Sequence, residues 1–153
     1  GPEVERQAQV RHACRLFVTA AHLQVPVFTV VVRKGYGLGA QAMAVGGFDA
    51  PVFTVSWPTG EFGGMGLEGA VKLGYRKELE AVAAGLEREA LYQRLVARQY
   101  DNGSAINMAT TLEIDAVIDP ADTRAWLARG LNGAGRPPGT GRGLSPARFV
   151  DVW

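Results

Sequence analysis

The chain is poor in the residues that usually mark a reactive site. Of its 153 residues one is cysteine and two are histidine. The single Cys14 excludes an internal disulfide framework and a cysteine-based zinc centre, and it fits a reducing compartment. In its helical setting Cys14 is expected to be a small buried hydrophobe. His12 and His22 fall in one helical segment, too far apart along the axis to ligate one ion, so both are expected to be surface or packing residues. Charge of one sign is also lacking: Lys and Arg number 16 against 15 acidic residues, which removes the footprint of a nucleic-acid binder. No apolar run reaches the roughly 18 to 20 residues that span a bilayer, and no charged-then-apolar leader opens the chain. No membrane partner is expected, and the chain reads as cytoplasmic. Nucleophile-elbow, paired Cys–His and H-E-x-x-H signatures are missing as well. The first helix starts almost at once, with neither strand nor methionine ahead of it, so the chain is expected to be a fragment.

What is present is apolar content and glycine. With 47% hydrophobic residues the chain can build one domain with a core. The expected order is helix, strand, helix, strand, helix, helix, strand, helix, tail. Val10, Ala13, Cys14, Phe17, Val18 and Ala21 recur at helical spacing. "VPVFTVVV" then reads as a central strand covered on both faces, bounded by Pro26 and a glycine turn. A short helix is expected over 40–45, ended by Gly46 and Gly47, and a strand over 51–56. The pentapeptide "PVFTV" occurs at 26–30 and again at 51–55, each time followed by a glycine-rich turn and a helix, which suggests a repeated unit. Helices follow through "GLEGAVKLGYRKELEAVA" and "LEREALYQRLVARQYDNGSAINMAT", with a break near Asp101-Asn102-Gly103. A third strand ends at Asp119, where Asp119 caps and Pro120 opens the last helix.

The turn at Gly35, Gly37 and Gly39 permits two readings. The glycines serve conformation alone, or they aim unpaired N–H groups of a helix start at an anion. Gly37-Leu38-Gly39-Ala40-Gln41-Ala42 matches G-x-G-x-x-A after a strand, as in dinucleotide folds. That reading is weak, because the next strand runs into Ser56-Trp57-Pro58-Thr59-Gly60 with no acid for a ribose before Glu61. The other anion is a developing oxyanion held by two backbone N–H groups. It suits a chain with so few catalytic side chains.

"RHACRLFVTAAHLQVPVFTVVVRKGYGLGAQAM", "SWPTGEFGGMGLEGAVKLGYRKE" and "IDAVIDPADTRAWL" together resemble the C-terminal half of the carboxyltransferase (beta) subunit of biotin-dependent acyl-CoA carboxylases. Four short motifs in order carry the resemblance, which covers nearly all of residues 1 to 132. It implies an α/β, crotonase-like (ClpP/crotonase) fold of repeated strand-strand-helix units, with 1–132 as a partial C-terminal subdomain and 133–153 as a flexible Gly/Pro/Arg-rich tail. It implies carboxyl transfer from N-carboxybiotin to the α-carbon of a short acyl-CoA, with backbone N–H groups in place of acid/base side chains.

Matched onto this chain, the resemblance makes Leu38 and Gly39 the oxyanion donors facing biotin. It places Gly37, Tyr36, Gln41, Trp57 and Gly64 around the substrate and implies no metal. Gln41 would tune acyl length. Many members of the family read G-G-A where this chain has Gly37-Leu38-Gly39, so a backbone donor at Leu38 requires its side chain to point away. Trp57 and Met65 can equally be core, and Arg33 and Lys34 either solvated charges or guides for a carboxylated ligand. The implied partners are acyl-CoA, a biotin carboxyl carrier domain, a biotin carboxylase subunit, the N-terminal carboxyltransferase half and further copies in a homo-oligomer. A biotin-dependent decarboxylase subunit and a truncated, non-catalytic interaction module are the alternatives.

Overall fold

The computed structural model describes residues 2–23 and 25–134. Helix α1 (Pro2–Arg6) leads into α2 (Gln9–His22). Then come strands β1 (Phe28–Val31) and β2 (Lys34–Tyr36) and helix α3 (Gly37–Met43). Strands β3 (Phe53–Ser56) and β4 (Glu61–Gly63) and helix α4 (Leu67–Gly74) repeat that order. Helices α5 (Arg76–Ala81), α6 (Leu86–Asn102) and α7 (Ala105–Thr110) follow. Strand β5 (Ala116–Val117), a 3-10 turn over Pro120–Asp122 and α8 (Thr123–Gly133) complete the described residues.

The echo in the sequence is a pairing in space. β1 lies parallel to β3 with Phe28 opposite Phe53, Thr29 opposite Thr54 and Val30 opposite Val55, so the last three residues of the repeat each meet their own copy. β2 lies parallel to β4, with Lys34 opposite Glu61 and Tyr36 opposite Gly63. Two sheets result, one ordered β1-β3-β5 and one of β2 and β4. Alternation along the strands divides the apolar residues between two cores. Phe53, Val55 and Ile118 pack with Phe28, Val30, Trp57, Trp126 and Leu127. Here the Phe28 and Phe53 rings sit 4.9 Å apart and Trp126 meets Phe53 edge-on at 5.6 Å. A side chain at Gly130 of α8 would meet Phe53 at 2.6 Å and Phe28 at 2.7 Å, so only glycine lets this helix lie so close. On the other side Val31, Phe62, Ala105 and Ile114 form the second core, with Phe48 and Met108 against it.

Several expectations change. Among the described residues the run "VPVFTVVV" supplies an edge strand: β3 is central, with all four residues buried, while β1 buries only Val31. Both strands are β-branched and apolar, so composition could not rank them. Cys14 is exposed rather than buried. The same holds for the whole apolar stripe of α2: none of its residues is buried, and Val10 and Val18 are 65% and 43% exposed. The helix expected over 40–45 begins earlier, so Gly37 and Gly39 are its first turn and not a loop before it. β2 and β4 are strands inside what read as turns, as the strand-strand-helix resemblance implied.

The long helix expected after Gly66 is broken between α4 and α5. The break near Asp101–Gly103 is found, with Ser104 capping α7 by accepting from the Asn107 N–H. Asp119 accepts from the Ala121 N–H at 2.8 Å, and Pro120 opens the 3-10 turn that runs into α8. The helix ends at Gly133; the rest of the proposed tail, from 135 on, lies outside the described residues. Among the described residues no helix is long and apolar enough to cross a membrane.

Candidate functional site

The start of α3 is built by what precedes it. β2 delivers Tyr36 in extended geometry, and Gly37 then turns the chain at φ 60°. An L side chain resists that left-handed conformation, and a Cβ here would also stand 2.8 Å from the Gly64 carbonyl oxygen. Glycine at 37 therefore lets the ends of β2 and β4 meet. No side chain caps α3, which leaves the N–H groups of Gly37, Leu38 and Gly39 without an intrahelical acceptor. Leu38 is 72% exposed, so its bulk is directed to solvent, and a side chain at Gly39 or Gly64 would meet nothing within 4 Å. The space over these peptide groups is open.

Beside this helix start is a cleft of about 400 Å³. Backbone at Gly35, Gly37, Gly63 and Gly64 lines part of it. The other lining residues are the polar Gln41, Gln99, Asn102 and Glu113 and the apolar Phe48, Phe62 and Met108. Such a lining, mostly apolar with a few orienting polar groups, suits a small organic ligand. Glycine at 103 is required because any Cβ would collide with the Phe62 carbonyl, whose strand supplies one side of the cleft.

Next to the glycine turn is a polar array. The Tyr36 hydroxyl donates to Glu61 Oε2 at 2.7 Å, and the Tyr100 hydroxyl donates to Glu68 Oε1 at 2.7 Å. Burial, then the hydrogen bond to Glu61, then its charge push the Tyr36 phenol well above the ordinary tyrosine range. The hydrogen bond to Glu68 likewise raises Tyr100, and the bond from Tyr100 lowers Glu68. Arg33, 70% exposed in its side chain, stands 3.9 Å from Glu61, a pair that solvent screens. Among the described residues no group of three or more His, Cys, Asp or Glu is placed to hold a metal ion.

The residues singled out from sequence are only partly brought together. Gly37, Gln41 and Gly64 line the cleft, and Tyr36, Leu38 and Gly39 adjoin it at the helix start. Trp57 stands apart. It is packed with Phe53, Val55 and Ile118, and its indole N–H donates to the Thr123 hydroxyl at 3.0 Å. Sequence reasoning missed Gln99, Asn102 and Glu113, which reach the cleft from distant segments and carry no local motif. It met Glu61 only as the first acid beyond the place where a ribose ligand would stand. The signal that could have found it is the repeat, since pairing the echo in parallel brings the stretch after Trp57 beside Lys34-Gly35-Tyr36.

A family model described as the carboxyl transferase domain matches residues 1–134. The carboxyltransferase subunit of propionyl-CoA carboxylase from Haloferax mediterranei is 34% identical over 132 residues, 86% of this chain and 25% of that protein. The 12S subunit of methylmalonyl-CoA carboxyltransferase from Propionibacterium freudenreichii subsp. shermanii is 33% identical over 135 residues, again 86% of this chain and 24% of its own length. Among solved structures, the hexameric transcarboxylase 12S core with methylmalonyl-CoA and methylmalonic acid bound matches with a TM-score of 0.77 at 29% identity, over 94% of this chain and 28% of that one. A single-chain, multi-domain long-chain acyl-CoA carboxylase matches with a TM-score of 0.72 at 56% identity, over 84% of this chain and 12% of that one. The fold is therefore the crotonase-like fold of carboxyltransferase domains, and the chain spans about a quarter of the curated relatives it matches.

Proposed function

The chain belongs to the carboxyl transferase domain family, and we propose that it forms the biotin-side part of an acyl-CoA carboxyltransferase. The carrying observation is the uncapped start of α3, with open space over Leu38 and Gly39 and a cleft beside it. These residues fit the edge of a biotin ureido group: two backbone donors, no competing side chain, and glycine where a Cβ would close the approach. When bound, N-carboxybiotin on a carrier domain would supply the carboxyl group and the base for the acyl α-proton.

The Leu38 and Gly39 N–H groups hold the oxygen that gains charge, a role that fixed dipoles fill without reorganising as the charge develops. Gly37 sets their direction through its left-handed turn. Gln41 projects from the same helix into the cleft lining, where it meets the acyl portion. Gly64 keeps the opposing backbone free of a side chain. Trp57 acts at a distance, holding β3 to α8. The thioester side of the reaction belongs to a partner carboxyltransferase half, in an oligomer that also engages a carrier domain and a biotin carboxylase in the cytoplasm.

The test is carboxyl transfer by the assembled enzyme with Gly39→Pro. Proline has no N–H, so the change removes the Gly39 donor before the first intrahelical bond, and melting of the same variant reports whether the fold is kept. Turnover should fall by about a hundredfold or more, roughly 3 kcal/mol in the barrier, with unchanged melting. Normal turnover would rule out the oxyanion assignment.

A second reading concerns the acceptor. The 56% identity to a long-chain acyl-CoA carboxylase supports a long-chain acyl-CoA over the short one that the resemblance implied. Running the same assay across acyl lengths decides it: kcat/KM rising with length supports the long-chain acceptor, and kcat/KM falling with length rejects it.

A further inference from the structure

We propose that Glu61 is a positioning residue for the glycine turn, acting through Tyr36 to hold the first peptide groups of α3 at the angle the reaction needs. The inference rests on the oxyanion reading of Leu38 and Gly39. It starts from chain geometry. Tyr36 is the last residue of β2 and the cap position of α3, so whatever fixes it also fixes the peptide that enters Gly37.

α3 has seven residues and no side-chain cap, so little in the helix itself defines where its first N–H groups point. The definition comes from outside. β4 runs parallel to β2, and the Glu61 N–H donates to the Arg33 carbonyl at 2.7 Å. The Glu61 side chain then spans the strand pair to accept from the Tyr36 hydroxyl at 2.7 Å. Glu61 is three-quarters buried in its side chain, which stiffens the bond, and its second oxygen stands 3.9 Å from Arg33. Two residues past β4's Phe62, the Gly64 carbonyl lies against Gly37. The turn is thus gripped at its entrance by Tyr36–Glu61 and at its first residue by the Gly37–Gly64 approach, one grip from β4 and the other from the residue that follows it.

The Tyr100–Glu68 pair lies close enough to bear on Tyr36. It ties α6 to α4, so the array joins the glycine turn to the helix whose Gln99 and Asn102 line the cleft. Burial and Glu61 raise the Tyr36 phenol above the ordinary tyrosine range, so its hydroxyl remains a donor into alkaline pH.

The experiment is a double-mutant cycle on the assembled enzyme, with kcat, KM for acyl-CoA and melting measured for Tyr36→Phe, Glu61→Ala and both together. A rigid placement error near the reacting atoms costs rate before affinity. Each single change should therefore lower kcat about tenfold or more, leave KM within about twofold, and combine without further loss. Glu61→Gln keeps an acceptor for the hydroxyl and should restore most of kcat. Three results would overturn the proposal: losses that multiply, a Gln variant as slow as the Ala variant, or lower melting with kcat per active site unchanged. Tyr36→Phe removes one oxygen from a half-buried ring and guards against a Glu61→Ala variant that fails to fold. Wild-type enzyme without carboxyl transfer would instead refute the oxyanion reading itself.

Discussion

In the first strand-strand-helix unit, β1 buries one residue of four and α3 begins with Leu38 in solvent. In the second, β3 buries all four and α4 begins with Leu67 at 2% exposure and Val71 fully enclosed. The two units share a pentapeptide and an order of elements, yet the second is the buried scaffold, while the first leaves its helix start open beside a cleft that both units line. The difference lies at the helix starts. Gly37 adopts a left-handed turn that leaves its helix end open, whereas Gly66 has φ −52° and hands directly to a leucine that enters the core. A repeated fold unit therefore says little about where chemistry happens until the burial of each helix N-terminus is known.

Substitutions at matched places test this contrast. Leu67→Ala should cost the most, about 2 to 5 kcal/mol of stability in denaturant unfolding, because it opens a cavity where Leu67 packs against Gly63. A cost under 1 kcal/mol would mean that the second unit is not the scaffold. Tyr36→Phe should have a smaller, pH-dependent effect. The Tyr36 phenol is raised in the folded chain, so above about pH 10 the unfolded chain releases a proton that the native one keeps. Its stabilising contribution is complete below that pH and declines as pH rises beyond it. The variant should lose stability less steeply than wild type on the alkaline limb, by at most about 1 kcal/mol per pH unit given partial screening by solvent. Identical limbs would remove Tyr36–Glu61 as a strong link. Leu38→Ala should have the smallest effect, within about 0.5 kcal/mol, since its side chain is mostly in water; a larger loss would show that the first unit's helix start is packed after all.

Most elements were legible because their signals are local. Pro26, the β-branched run, the Asp119–Pro120 start and the break before Ser104 announce themselves over a few residues. The rank of β1 and β3 was not, since centrality depends on which strand β5 joins, and β5 pairs with β3 from sixty residues further along the chain. α2 misled for a related reason: its apolar spacing is real, but within the described residues only α1 and α3 pack substantially against it. At the site, Gly37, Gln41 and Gly64 could be placed by resemblance to a family pattern, whereas Gln99, Asn102 and Glu113 arrive from segments with no motif. Glu61 became meaningful only through strand register.

The in-register pairing of β1 with its own copy has one more consequence. A segment that recognises "PVFTV" so well recognises it in any molecule, and among the described residues the outer edge of β1 is unpaired. Two chains meeting at that edge would find the same phenylalanine, threonine and valine already in matching order, the arrangement from which strand exchange and ordered aggregates grow. Whatever covers that edge in the assembled protein therefore also guards the chain against its own sequence.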